Sequence, residues 1–226
     1  VQVNIRQRPS FAVARLSLQP GEPTTVESGA MLAHSYGMQM QSQTQGGVMK
    51  GLGRAILAGE SLFLSTYTAP PNGGWVDVAP SLPGDISTIE MDGRTGWVVT
   101  RGNWLASSYG VQTETKWGGF KNLFGGEGGF LTHCVGQGQL VVSCYGALEP
   151  VNLQPGELVT IDTGHVVAFA DTVQYQTRKM ASGVIQSLKS GEGLVFDFQG
   201  PGQVLTQTRN LSALAAWVIS VVPARR

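Results

Sequence analysis

Three of the Gly-Glu pairs, Gly59-Glu60, Gly126-Glu127 and Gly191-Glu192, are spaced 67 and 65 residues apart. Carboxylates gathered around one axis bind a cation or a basic segment. Placed on separate corners they cap or pair locally, and that reading is preferred. Lys50 and Arg54, Lys121, and Lys189 lie shortly before these acids, interleaved with Met49, Leu52, Phe120, Leu123, Phe124 and Leu188. Stretches that mix basic and apolar residues suit contact with an anionic lipid surface, or plug the end of a β body with their apolar members. The second use is the more ordinary one.

The other reactive side chains lack the company that chemistry needs. His34, His133 and His165 are far apart, and none has the His-x-His spacing of a metal site. Pro155-Gly156-Glu157 followed by Gly164-His165 is similar to the turns of the cupins, whose histidine cluster binds metal, but the companion histidines are missing. The run Gly125-Gly126-Glu127-Gly128-Gly129 lacks the Gly-Lys-Ser/Thr ending of a phosphate loop and leads into a strand-like run, so no helix N-terminus would face a phosphate. No metal, cofactor or catalytic residue is expected. With a hairpin centred on Gln137, Cys134 faces Leu140 and Cys144 faces Phe130, which is out of register for a disulfide. Two reduced and mostly buried thiols are expected. The five tryptophans are assigned to core or subunit interface.

These residues sit in a pattern that recurs three times. Leu18-Gln19-Pro20-Gly21-Glu22 returns as Leu153-Gln154-Pro155-Gly156-Glu157, with Leu82-Pro83-Gly84-Asp85 as a shorter copy. A Gly-led apolar stretch follows at Gly29–Ala33, Gly102–Ala106 and Gly164–His165-Val166-Val167-Ala168. Period-two alternation then marks strands at Met38–Gln41, Val111–Glu114 and Val173–Gln176. After each Gly-Glu a hairpin is predicted, turning at Asn72-Gly73-Gly74, Gly136-Gln137-Gly138 and Gly200-Pro201-Gly202. The expected organisation is a single body over 1–226 with repeats at about 11–80, 81–150 and 151–210 and a C-terminal tail, 211–226. Three half-buried units close most economically around a pseudo-threefold axis, giving an all-β, barrel-like body. The tail, LSALAAWVISVV before Pro223, should form a short helix or extended segment that packs on the body or on a partner subunit.

Composition narrows the function classes. The chain has 226 residues, 42% hydrophobic and 13% charged, so it folds rather than remaining disordered. Fifteen basic residues balance fifteen acidic ones, which disfavours nucleic acid as a partner. No apolar run reaches the ~20 residues of a spanning helix, and the first ten residues lack the layout of a secretory signal. A cytoplasmic location is expected, with or without contact to a membrane surface.

The order of motifs LQPGE, GAMLA, GLGRAILAGESLF, WLASS, GGFKNLFGGEGGFL and GEGLVFDFQGPGQVLTQTRN resembles the altered-inheritance-of-mitochondria family of small β proteins, from about Phe11 to Asn210. That resemblance implies a fold similar to the tryptophan-RNA-attenuation-protein class, a short double-stranded β-helix, and symmetric oligomers. It implies no reaction. The expected function is a non-enzymatic homo-oligomeric scaffold or binding protein, with a trimer favoured. A cupin-like ligand- or metal-binding enzyme is the alternative, and an RNA-binding ring comes third.

Overall fold

The computed structural model describes residues 1–44, 63–116, 131–179 and 194–222. The described residues form strands almost throughout. From the N-terminus come β1 (Gln2–Arg6), β2 (Val13–Leu18), β3 (Pro23–Glu27), β4 (Met31–His34), β5 (Gln39–Thr44), β6 (Phe63–Thr68) and β7 (Gly74–Val78). Next are β8 (Ile86–Asp92), β9 (Trp97–Thr100), β10 (Trp104–Ser108), β11 (Val111–Lys116) and the long β12 (Leu131–Ser143). The last are β13 (Leu148–Leu153), β14 (Leu158–Asp162), β15 (Val166–Ala170), β16 (Gln174–Lys179), β17 (Leu194–Gln199) and β18 (Gly202–Gln207). A one-turn 3-10 helix, Thr163–His165, precedes β15, and a single α-helix among the described residues, α1 (Leu211–Val221), follows β18.

Alternation makes these strands. In β2 the side chains of Ala14, Leu16 and Leu18 are buried while Val13, Arg15 and Ser17 face outward. The named strands pair antiparallel. β7 lies between β2 and β4, and β6 between β3 and β5. The first half of β12 pairs with β9 and β11, and its second half with β8 and β10. β18 lies between β13 and β15, and β17 between β14 and β16. Two further pairings, β10 with β3 and β15 with β9, join the groups around β6, β12 and β18 into one long sheet. β4 and β14 each end a separate sheet.

Several expectations are corrected here. The barrel is not closed, because sheets terminate at β4 and at β14. The predicted hairpins are strand pairs in different sheets: β6 and β7 each pair elsewhere, as do β17 and β18. Gly136-Gln137-Gly138 makes no turn at all and lies inside β12. Its glycines answer to crowding: a Cβ on Gly136 would lie 2.2 Å from the Gly110 carbonyl oxygen, and one on Gly138 would lie 2.6 Å from the Ser108 Cβ. Cys134 therefore faces Thr113 and Trp97 rather than Leu140. Leu82–Asp85 leads into β8, whereas the Pro-Gly turns at Pro20 and Pro155 follow β2 and β13, so the shorter copy is not their counterpart. The turn after β8 is Asp92-Gly93, where the Asp92 carboxylate accepts from the amides of Arg94 and Thr95.

Two apolar clusters form the core. One gathers Leu16, Val26, Val76, Val78, Ile86, Leu105 and Val141; the other runs from Trp104 and Leu140 to Val204. In the second, Phe169, Tyr175, Phe196 and Phe198 stack with Phe169 5.0 Å from Tyr175 and 5.1 Å from Phe198.

Candidate functional site

The acids and bases singled out by sequence, Glu60, Glu127, Glu192, Lys50, Arg54, Lys121 and Lys189, lie outside the described residues, as does Trp117. The three histidines are held apart on β4, on β12 and just before β15. His34 is exposed, with Nδ1 2.9 Å from the Ser35 carbonyl. His133 Nε2 lies 3.3 Å from Asp171 Oδ2. His165 Nδ1 donates to the Gln207 carbonyl at 2.7 Å, which fixes its tautomer. Among the described residues no group of three or more His, Cys, Asp or Glu is placed to hold a metal ion. Cys134 and Cys144 are free and buried. Burial pushes their thiols up to about 12 and about 11, so neither supplies a thiolate near neutral pH.

The polar side chains that do converge come from strand ends. The turn Arg101-Gly102-Asn103 between β9 and β10, Glu27 at the end of β3, Tyr145 after β12 and Gln207 at the end of β18 line a cleft of about 370 Å³ closed on one side by Leu211 of α1. A neighbouring recess of about 360 Å³ shares Arg101, Asn103 and Gln207 and runs under the start of α1. Asn103 and Gln207 are locked together. Asn103 Nδ2 donates to the Ser143 carbonyl (2.7 Å) and to Gln207 Oε1 (3.2 Å). Gln207 Oε1 also accepts from the Tyr145 amide (2.8 Å), and Gln207 Nε2 donates to the Gly164 carbonyl (2.9 Å). Thr100 Oγ1 lies 3.0 Å from Asn103 Oδ1 and 2.7 Å from the Val166 carbonyl. Satisfied buried polar groups of this kind hold their backbone segments rigidly.

Glu27 has a different environment. Burial alone pushes its carboxyl up to about 7, so it titrates near neutral pH. The cleft thus sets a carboxyl that titrates near neutral pH beside Arg101 on a rigid, internally satisfied polar frame, a lining suited to a small polar ligand. Sequence reasoning passed over it, although one signal was present: Asn103 stands where Ala30 and His165 stand in the matching stretches.

Elsewhere charge is used to lock strands. Asp77 accepts from Arg15 Nε and Nη2, both at 2.8 Å, and from Arg6 Nη2 at 2.9 Å, and the Arg15 guanidinium lies 3.8 Å over the Trp75 ring. Asp85 takes a two-pronged contact from Arg8, both arms 2.8 Å. α1 is capped by the Asn210 side chain, whose Oδ1 accepts from the Ser212 amide at 2.8 Å. Of the two placements expected for the tail, on the body or on a partner subunit, the first does not bury α1: it has no buried residue, and Trp217, Ile219, Val221 and the following Val222 are exposed. No helix among the described residues is long and apolar enough to cross a membrane.

Residues 3–209 match the family model described as mitochondrial biogenesis AIM24. The chain is 29% identical over 221 residues to an uncharacterised protein of Streptococcus pyogenes serotype M6, covering 94% of this chain and 88% of that one. It also superposes on the crystal structure of protein SPYM3_0169 from Streptococcus pyogenes with a TM-score of 0.83 and 26% identity, over 98% of this chain and 99% of the other.

Proposed function

We propose, from the premise that this chain belongs to the mitochondrial biogenesis AIM24 family, that it is a non-catalytic scaffold or binding protein working as a homo-oligomer, in the simplest case a trimer. The observation that carries this reading is α1. Its eleven residues hold no charged side chain, and its apolar members stand in solvent, as interaction surfaces do. A membrane surface or a partner subunit would cover them.

Within this reading the body consists of three related β units with a fold similar to the tryptophan-RNA-attenuation-protein class. Two sets of three strand triples support it: β2-β7-β4, β8-β12-β10 and β13-β18-β15 form one set, and β3-β6-β5, β9-β12-β11 and β14-β17-β16 the other. The test is the native mass of the protein with metal content measured on the same sample. A metal-free multiple of 23.9 kDa supports the proposal. A 23.9 kDa monomer carrying stoichiometric metal overturns it in favour of a cupin-like protein. A second reading, binding of a small polar ligand, rests on the cleft at Glu27, Arg101 and Asn103. It predicts that such a ligand raises the unfolding temperature of the wild type and not of Asn103→Ala.

A further inference from the structure

Two strand edges meet inside this chain in one manner, and a third pair of the same kind is left open. β10 lies along β3 with Ala106 facing Val26, Ser107 facing Thr25 and Ser108 facing Thr24. β15 lies along β9 with Ala168 facing Val99, Phe169 facing Val98 and Ala170 facing Trp97. On the three-unit reading, which the present inference rests on, β4 corresponds to β10 and β15, and β14 corresponds to β3 and β9.

An irregularity in the pairing anchors this correspondence. Each of the three strands skips one residue against its inner neighbour, between Met31 and Ala33, between Trp104 and Ala106, and between Val166 and Ala168. The skipped residues are Leu32, Leu105 and Val167. Where the edge is covered, Leu105 and Val167 are 0% exposed; at the open edge Leu32 is 60% exposed. The opposite strand shows the matching contrast. Val26 and Val99 are fully buried in their junctions, while their counterpart Ile161 is only half-buried and Leu158, at the start of the same strand, is 69% exposed. β4 and β14 are therefore unpaired edges that carry bare apolar side chains, the combination that draws in another strand.

We propose that β4 of one copy of this chain pairs antiparallel with β14 of a second copy, in the register Ala33 with Ile161, His34 with Thr160 and Ser35 with Val159. The occupant is a second copy because β14 is of the strand type that covers the equivalent edge twice within the chain, and β4 and β14 of one copy end separate sheets. The two surfaces differ, so the contact runs head to tail and each added copy presents a fresh edge until a ring closes.

Ala33→Cys and Ile161→Cys, made as separate variants, mixed and oxidised, test it. Facing residues of neighbouring strands lie within disulfide reach, and the native thiols are buried. The expected result is a covalent dimer from the mixture and none from either variant alone. A disulfide that forms only within one chain of the double variant overturns the between-copy contact and leaves the three-unit reading standing. No disulfide of either kind, with a wild-type native mass above 23.9 kDa, overturns the edge contact while assembly through another surface survives. As a second measurement, Leu32→Lys is expected to reduce the native mass to that of one chain while its β circular dichroism is retained; an unchanged oligomer overturns the proposal.

Discussion

Replacing Glu27 by glutamine should stabilise the protein at alkaline pH and leave it unchanged in acid. Glu27 ends β3 at the wall of the cleft, and burial raises its carboxyl from 4.5 to about 7. Below the unfolded value the group is protonated in both states and has no net effect. As pH rises past 4.5 the unfolded chain ionises first, and the advantage of the folded state is lost until the folded group also ionises near 7. At about 1.4 kcal/mol per pH unit, the full cost at pH 8 is at most roughly 3 kcal/mol. Glu27 is only partly buried, so solvent screens part of this, and a gain of about 1–2 kcal/mol is expected for Glu27→Gln at pH 8. The assay is urea unfolding of both proteins from pH 4 to pH 8.5. The difference should be absent at pH 4, grow through pH 5 to 7 and then level off. Parallel profiles would show that Glu27 is solvated in the folded state and would refute the assignment of the cleft as its desolvating wall.

Asp77 should behave in the opposite sense. Hydrogen bonds from Arg15, then from Arg6, hold its carboxyl below the ordinary range, so its stabilisation is present above the unfolded pKa and is lost as pH falls through the folded one. Asp77→Asn is expected to cost about 2 kcal/mol at pH 7, because the arginines are half-exposed, and progressively less as pH falls below the ordinary aspartate value, measured by urea unfolding carried on into acid. Gly84→Ala should destabilise by more than ~2 kcal/mol, since its Cβ would lie 1.8 Å from the Cys144 carbonyl oxygen, a backbone atom at the Gly84–Gly146 bridge; thermal unfolding reads this directly. Cys134 and Cys144 should resist a thiol reagent in the native protein at pH 8 and react together once the chain is unfolded; fast labelling of the native protein would contradict their burial.

Local pattern determined the parts of this molecule that depend on neighbours in sequence. Alternation at Met38–Gln41, Val111–Glu114 and Val173–Gln176 named strands that form, the first and third starting one residue later, and Gly21 and Gly156 marked turns where φ is 71° and 79°. The two cysteines are the free, buried thiols expected of them, although the hairpin register that argued against a disulfide does not form. Partners across space were not legible. Period two tells which side chains share a face, but every strand has two edges, and the backbone groups on them pair with whichever strand the fold brings alongside. Gly136 and Gly138 thus looked like a turn, while the approach of Gly110 and Ser108 made them a tight crossing inside one strand. The raised carboxyl of Glu27 depends on β9, β12 and β18 ending around it, and α1, apolar enough to pack, stands in solvent. Leu32, Leu105 and Val167 are alike in sequence context; only the presence or absence of a neighbouring strand, which is decided by tertiary structure, makes one bare and two buried.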